Sequence, residues 1–204
     1  SCLCFACVFI FALGIFLPEG ALKAEALSGN GTEASPYVVS NFSELREACA
    51  LAKFGTHLYI EFENKTVDEK LPFDATTLSS AITLQNGYVH IKLKGSYTFR
   101  VNHITDSLYG QLFDVKYGAT LYVSGDGKLS FSPMLTGASN SVIKVNGGNV
   151  IIESGHLDSH PLNWTVAGSA IAYERGNFTV NDGVFTGYSY EGTPTSTEAV
   201  YSSA

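Results

Sequence analysis

Apolar and polar positions alternate along most of this chain, and the alternation recurs at a fixed interval. From Ser141 to Leu157 the sequence reads "SVIKVNGGNVIIESGHL", and from Ser169 to Phe185 it reads "SAIAYERGNFTVNDGVF". Leu112–Gly118, Val142–Gly147 and Ala170–Gly176 occupy equivalent places, as do Thr120–Val123, Asn149–Ile152 and Asn177–Val180. Gly127, Gly155 and Gly183 then precede Leu129, Leu157 and Phe185 at the same spacing. A fourth copy is expected to start at Ala199–Tyr201, one interval beyond Ile171–Tyr173. Period-two alternation marks strands buried on one side. A fixed repeat of such strands, here of about 28–30 residues, marks a solenoid in which each copy buries its apolar side against its neighbours. Three short strands of about three to five residues per copy, parted by Gly/Asn turns, describe one coil of a parallel β-helix. Val123, Ile152 and Val180 should then lie one above another, as should Thr120, Asn149 and Asn177. The competing reading is a β-sandwich, whose hairpin turns would not keep one frame.

Before the repeat, "THLYIEFENKTV" places Leu58, Ile60 and Phe62 opposite Tyr59, Glu61 and Glu63. In "YVHIKLKGSYTFRV", Val89, Ile91 and Leu93 oppose His90, Lys92 and Lys94. Both are strand patterns. Residues 64–88 show less regularity and predict loops around one or two short strands. One helix is expected, over residues 42–54. Asn41 is its N-cap, with Glu44 at the capping-box spacing. Leu45, Ala48, Cys49 and Ala52 share a face, and Gly55 provides the stop. Set at the start of a solenoid, this helix would cover an otherwise open end.

The first residues carry a different pattern. "CLCFACVFIFALGIFL" is a nearly unbroken apolar run followed by Ala24-Glu25-Ala26. It reads as an export signal over residues 1–26, with an uncleaved N-terminal anchor as the alternative. The run is shorter than the roughly 18 residues a spanning helix needs. Ser1 is preceded by no Met or basic segment, so the sequence predicts a missing start. It stops at "EAVYSSA", early in a coil, which predicts a fragment of a longer protein. The expected organisation is thus residues 1–26 as signal, 27–111 as cap and first irregular coils, and 112–204 as regular coils. After residues 1–26 only Cys49 remains of the four cysteines. The exported part therefore has no internal disulfide and must be stable by burial. Acidic residues outnumber basic ones 19 to 12, and no Lys/Arg cluster occurs. That balance argues against nucleic acid or an anionic membrane surface as partner, since both need a basic face.

"SVIKVNGGNVIIESGHLDS" and "SAIAYERGNFTVNDGVFTGYS" resemble the repeats of right-handed parallel β-helix proteins of the pectin-lyase-like superfamily. They are most similar to those of the bacterial cell-surface type, in which a "GGxIxVxGGxxTIxGGxFxxN" coil recurs. The leader "GNGTEASPYVVSNFSELREA" also resembles the segment with which many such surface proteins begin. The resemblance covers residues 28–204, most strongly from 112. It implies an all-β, right-handed solenoid on the cell surface or secreted, acting as an adhesin or as a carbohydrate-binding or structural stalk, with a polysaccharide or host glycan as partner. The alternative it leaves open is a polysaccharide lyase or glycoside hydrolase with its active site beyond residue 204. Resemblance to the lyases would require an Asp cluster holding calcium beside Arg or Lys, and resemblance to the hydrolases a paired-Asp motif, Asn-Thr-Asp and Gly-His-Gly. The hydrolase motifs are absent, no Asp site is evident around Lys144 or Arg175, and no catalytic residue or cofactor is assigned.

Two candidate constellations remain. His156, Asp158 and His160 offer metal-binding groups on one side of a strand. In extended chain the outer two would stand about 13 Å apart, too far for one ion without a bend before Pro161. The plainer reading is an exposed polar face. Tyr117, Tyr122, Trp164, Tyr188 and Tyr190 fall at turns or outward positions, where rings can stack on sugars, or else pack under the loop 158–168. Lys144 is expected to meet Asp114 as a cross-coil ion pair. Five N-x-S/T sequons, at Asn30, Asn41, Asn64, Asn163 and Asn177, are weak signals.

Overall fold

Alternating side chains define the rungs of the computed structural model, which describes residues 27–71, 80–101, 110–132, 140–160, 168–188, 194–195 and 200–202. The expected export signal lies outside them. After β1 (Tyr37–Val39) and α1 (Phe42–Ala50), the chain winds through β2 (His57–Phe62), β3 (Thr66–Lys70), β4 (Ser80–Leu84), β5 (Gly87–Leu93) and β6 (Ser96–Arg100). It continues through β7 (Gln111–Lys116), β8 (Ala119–Gly125), β9 (Lys128–Ser132), β10 (Asn140–Ile152), β11 (His156–Ser159), β12 (Gly168–Val180) and β13 (Val184–Tyr188). Two short strands follow, β14 (Pro194–Thr195) and β15 (Val200–Ser202).

Three parallel ladders result, and the fold is an all-β parallel solenoid. One runs β4–β7–β10–β12–β15, using the first halves of β10 and β12. The second runs β1–β2–β5–β8–β10–β12, using their second halves. The third runs β3–β6–β9–β11–β13. Among the described residues antiparallel pairing is confined to β13, with Gly168 opposite Tyr188 and Gly187 opposite Thr195, apart from two isolated bridges near the start. The expected three strands per copy are corrected in one respect. In the last two copies the first two strands fuse into 13-residue strands that turn the corner through register irregularities between Val145 and Asn149.

Register follows the expectation through the repeat: Ile152 pairs with Val123 and with Val180, and Leu157 with Leu129 and with Phe185. Asn149 pairs with Thr120 and Asn177, and its side chain joins them: the Asn149 amide donates to Thr120 Oγ1 (3.2 Å) and the Asn177 amide to Asn149 Oδ1 (2.7 Å). At the last coil the register is corrected by one position, since Val200 rather than Ala199 stands opposite Ile171.

The coils also begin well before residue 112. His57 pairs with Tyr88 and Tyr88 with Thr120, both across longer loops of chain than those joining Thr120 to Asn149 and Asn149 to Asn177. Apolar side chains stack inward along the second ladder as Leu58–Val89–Leu121–Val150 and Ile60–Ile91–Val123–Ile152, all buried. Along the third they stack as Tyr97–Leu129–Leu157 and Phe99–Phe131. In the first ladder both alternating sets are buried, Phe113 and Val115 as well as Leu112 and Asp114.

The helix caps the first coil, with Phe42, Leu45, Ala48 and Cys49 buried. Asn41 Oδ1 accepts the Glu44 N–H at 2.9 Å, and Glu44 Oε2 accepts the Ser40 N–H at 2.6 Å. A second carboxylate comes from the solenoid itself: the Phe42 N–H donates to Glu69 Oε2 of β3 at 2.7 Å. Phe42 then meets Phe99 edge to face at 5.7 Å. The helix is shorter than expected. It closes on Leu51, whose N–H reaches Ala48 O, and Gly55 serves the next turn with φ +72°.

Replacing Ile91, which lies between Ile60 and Val123 and is 1% exposed, with Ala should lower the unfolding free energy by about 2–5 kcal/mol in urea titrations. A loss well under about 1 kcal/mol would contradict a close-packed interior at that rung. Burial pushes the Cys49 thiol up to about 12. In native protein at pH 8 Cys49 should therefore resist thiol-specific reagents that label it at once after unfolding, as mass spectrometry of the peptide carrying it would show.

Candidate functional site

On the outer side of β2, β5 and β8 the residues between the inward ones include five aromatic rings, His57, Tyr59, Tyr88, His90 and Tyr122. Stacked rungs lie about 4.8 Å apart, within the centre-to-centre range of about 4.5–7 Å at which offset rings make contact. Tyr59, His90 and Tyr122 form one column, with ring centres 4.3 Å apart at each step and planes within 10° and 5° of parallel. Beside it His57 stacks on Tyr88 at 4.6 Å. A diagonal contact ties the columns, His57 Nδ1 to His90 Nε2 at 2.8 Å. Further along the strands Glu61 binds Lys94 Nζ at 2.6 Å and Lys92 Nζ at 3.4 Å. Burial works against the Glu61 carboxylate, but hydrogen bonds and charge from Lys94 and Lys92 outweigh it and hold its pKa below the ordinary value. For His90, burial lowers the pKa and the His57 ring lowers it further, against a smaller opposing pull from Glu33.

This array changes the reading of Tyr122. Its ring, half-buried, lies face to face with His90, so that face is closed to a sugar. Tyr117 is the opposite case. It sits at the turn between β7 and β8 and is 88% exposed. Around it the corner turns of successive coils open a groove of ≈ 690 Å³, lined by Gln85, Asn86, Lys116, Asn146, Gly147 and Arg175. Gly147 lines the groove where the backbone turns with φ +92°, and a Cβ there would make only ordinary contacts, so it is the backbone conformation that calls for glycine. L side chains rarely adopt that backbone conformation.

Lys144 does lie opposite Asp114 in the register, but the expected ion pair is not made. Lys144 Nζ binds Glu174 Oε2 at 2.7 Å, and Asp114 has Lys116 Nζ at 3.7 Å. Asp114 is 4% exposed, and a lysine that pairs at the solvent rim gives up less water than one drawn in beside it. The hydrogen bond and charge of Lys144 in turn lower the pKa of Glu174.

His156, Asp158 and His160 are dispersed among different partners. Asp158 Oδ2 accepts from Lys128 Nζ at 2.6 Å and from Ser130 Oγ at 3.1 Å. His156 Nε2 is 2.9 Å from Thr186 Oγ1, and His160 follows the end of β11 at the surface. Among the described residues no group of three or more His, Cys, Asp or Glu side chains is placed to hold a metal. Tyr188 pairs through its backbone with Gly168, while Trp164 and Tyr190 lie outside the described residues.

His57, Tyr59, Tyr88 and His90 escaped the sequence reading as a unit. The signal is "HLY" at 57–59 against "YVH" at 88–90, and it becomes visible only when His57 is known to stand over Tyr88. Comparison with protein-family models, with curated proteins and with solved structures gave no match, so the site is read from its geometry alone.

A histidine whose pKa is lowered by folding takes up a proton more readily in the unfolded chain. For His90 the contribution is complete above the ordinary pKa of 6.5 and is lost as the pH falls through it towards the folded value. The urea midpoint should therefore drop between pH 7.5 and pH 5. The drop should shrink in His90→Phe, which keeps a ring in the stack. His156, whose pKa is also lowered by burial and by Lys128, would supply the remainder. An equal pH dependence in both proteins would count against the role of His90.

Proposed function

We propose that the chain is an exported, cell-surface or secreted β-helix module that binds a polysaccharide or cell-surface glycan without turning it over, as an adhesin or stalk does. The observation that carries this reading is the Tyr117 groove. A free aromatic face suits the apolar face of a pyranose ring, and Gln85, Asn86 and Asn146 are positioned as amide partners for its hydroxyls. Lys116 and Arg175 add positive charge at the rim. Lys116, Asn146 and Arg175 are fixed by stacked backbone ladders, and Gln85 and Asn86 follow directly on β4, so little ordering entropy is lost on binding. The apolar N-terminal run and the resemblance to cell-surface β-helix repeats support export. The described residues contain no helix long and apolar enough to cross a membrane.

A glycan array probed with purified protein, run beside reducing-sugar and unsaturated-product assays on the oligosaccharides that bind, tests the reading. Binding without product is expected. Tyr117→Ala should weaken it at least tenfold, while unfolding free energy stays within about 0.5 kcal/mol, as is usual for so exposed a side chain. Product formation would favour the polysaccharide lyase or hydrolase alternative, and full affinity in Tyr117→Ala would remove the groove from the account.

A further inference from the structure

The turn that carries Tyr117 has a counterpart two coils earlier. Residues 53–59 read "KFGTHLY" and residues 116–122 read "KYGATLY". His57 pairs with Tyr88 and Tyr88 with Thr120. Phe54 and Tyr117, each three residues before its ladder residue, therefore occupy one corner of the solenoid on alternate rungs. Gln85 holds the equivalent place on the rung between them. The glycines that follow the two rings turn the backbone alike, Gly55 at φ +72° and Gly118 at φ +94°. The corner turns lie directly on one another: a Cβ at Gly87 would collide with Lys53 O, and one at Gly118 with Gln85 O.

Single exposed apolar side chains are common on protein surfaces. Phe54 and Tyr117 differ in being, at 83% and 88%, the two most exposed large apolar side chains among the described residues, and in sharing one corner and one local sequence. Two rungs separate them by about 9.6 Å along the axis, too far for the rings to cover each other. In the Tyr59–His90–Tyr122 column every rung carries a ring, and stacking closes the faces. At the corner an amide stands between, and both rings stay uncovered.

An aromatic face takes a pyranose by its apolar side. In an extended β-1,4-linked glycan each sugar is turned over relative to the next, so one face recurs at every second sugar. That interval, two pyranose lengths, is close to two rungs of a parallel ladder. Lys53 and Lys116 adjoin the rings and Gln85 stands between them, as donors for the sugar oxygens. We propose that Phe54 and Tyr117 are paired subsites for one linear β-1,4-linked polysaccharide, which lies along the solenoid axis with every second sugar on a ring. This arrangement rests on the glycan-binding reading of the Tyr117 groove and extends that groove to the coil of β2.

Isothermal titration of the purified protein with cello-, chito- and manno-oligosaccharides of two to six sugars tests it. For a series that binds, affinity should rise at least tenfold from the disaccharide to the trisaccharide, the shortest chain that reaches both rings. Phe54→Ala should abolish that rise. Its circular dichroism and urea midpoint should match those of the parent, as is usual for so exposed a side chain. Equal affinity of the parent for disaccharide and trisaccharide, or an undiminished rise in Phe54→Ala, would overturn the paired subsites and leave the glycan reading standing. Binding of other glycans on the array but of none of these series would do the same. A parent that binds no glycan at all would overturn both.

Discussion

Backbone hydrogen bonding between like strands of successive coils is the constraint on which the rest depends. A parallel ladder fixes each residue over its equivalent in the coil before, so whatever chemistry occupies a column is multiplied along the axis. Inside, most columns are aliphatic or aromatic, with Val39, Phe62, Leu121 and Phe131 all fully buried, and one buried column, Ser80–Gln111–Ser141–Ser169, is polar. Outside, the same rule puts ring on ring, amide on amide and acid beside lysine. The Asn149–Asn177 bond and the Tyr59–His90–Tyr122 stack are thus two results of one register. The cap belongs to this logic too, because the open end of the first rung is closed by α1 and held through Glu69.

The regular part of the fold was legible because each copy from 112 repeats its inward residues and its glycines in one frame. Before it the helix and the strands around residues 57–62 and 88–100 were legible, but the frame that stacks them was hidden, for two physical reasons. The longer intervals from His57 to Tyr88 and from Tyr88 to Thr120 break the frame, since turns can lengthen without disturbing the strands. The outermost strand, "TVDEK", also lacks apolar alternation: on an end rung Thr66, Asp68 and Lys70 stay exposed, and backbone pairing to β6 defines the strand instead. A polar sequence held only by its ladder leaves no hydrophobic period to read. The short helix follows similarly. Asn41 announced its start, whereas its end is set by the bonds of the Leu51 and Ala52 amides rather than by Gly55.

Of the candidate site, exposure at Tyr117 was legible from its place before a turn glycine, but the groove required the third dimension. Its walls are Gln85 and Asn86 from one coil and Arg175 from a coil far later in the chain. The ring array shows the opposite limitation. Outward aromatic residues read from sequence as a binding face, yet rings at 4.3 Å cover one another and present mainly their edges. Whether an aromatic column is adhesive or structural thus depends on whether equivalent rings occur on adjacent rungs. Tyr117 has Asn86 and Gly147 around it rather than further rings, and its face is free.

The uneven coil length has one further consequence. Registers stay parallel while the interval between equivalent positions shortens from the Tyr88–Thr120 step to the Asn149–Asn177 step, so small gains and losses of chain have been absorbed in the turns without displacing a rung. Such a scaffold tolerates indels at its corners far better than substitutions in its columns. Lineages of this architecture would be expected to diverge first in corner length and corner chemistry, where the Tyr117 groove lies, and last in the silent interior that gives them their common shape.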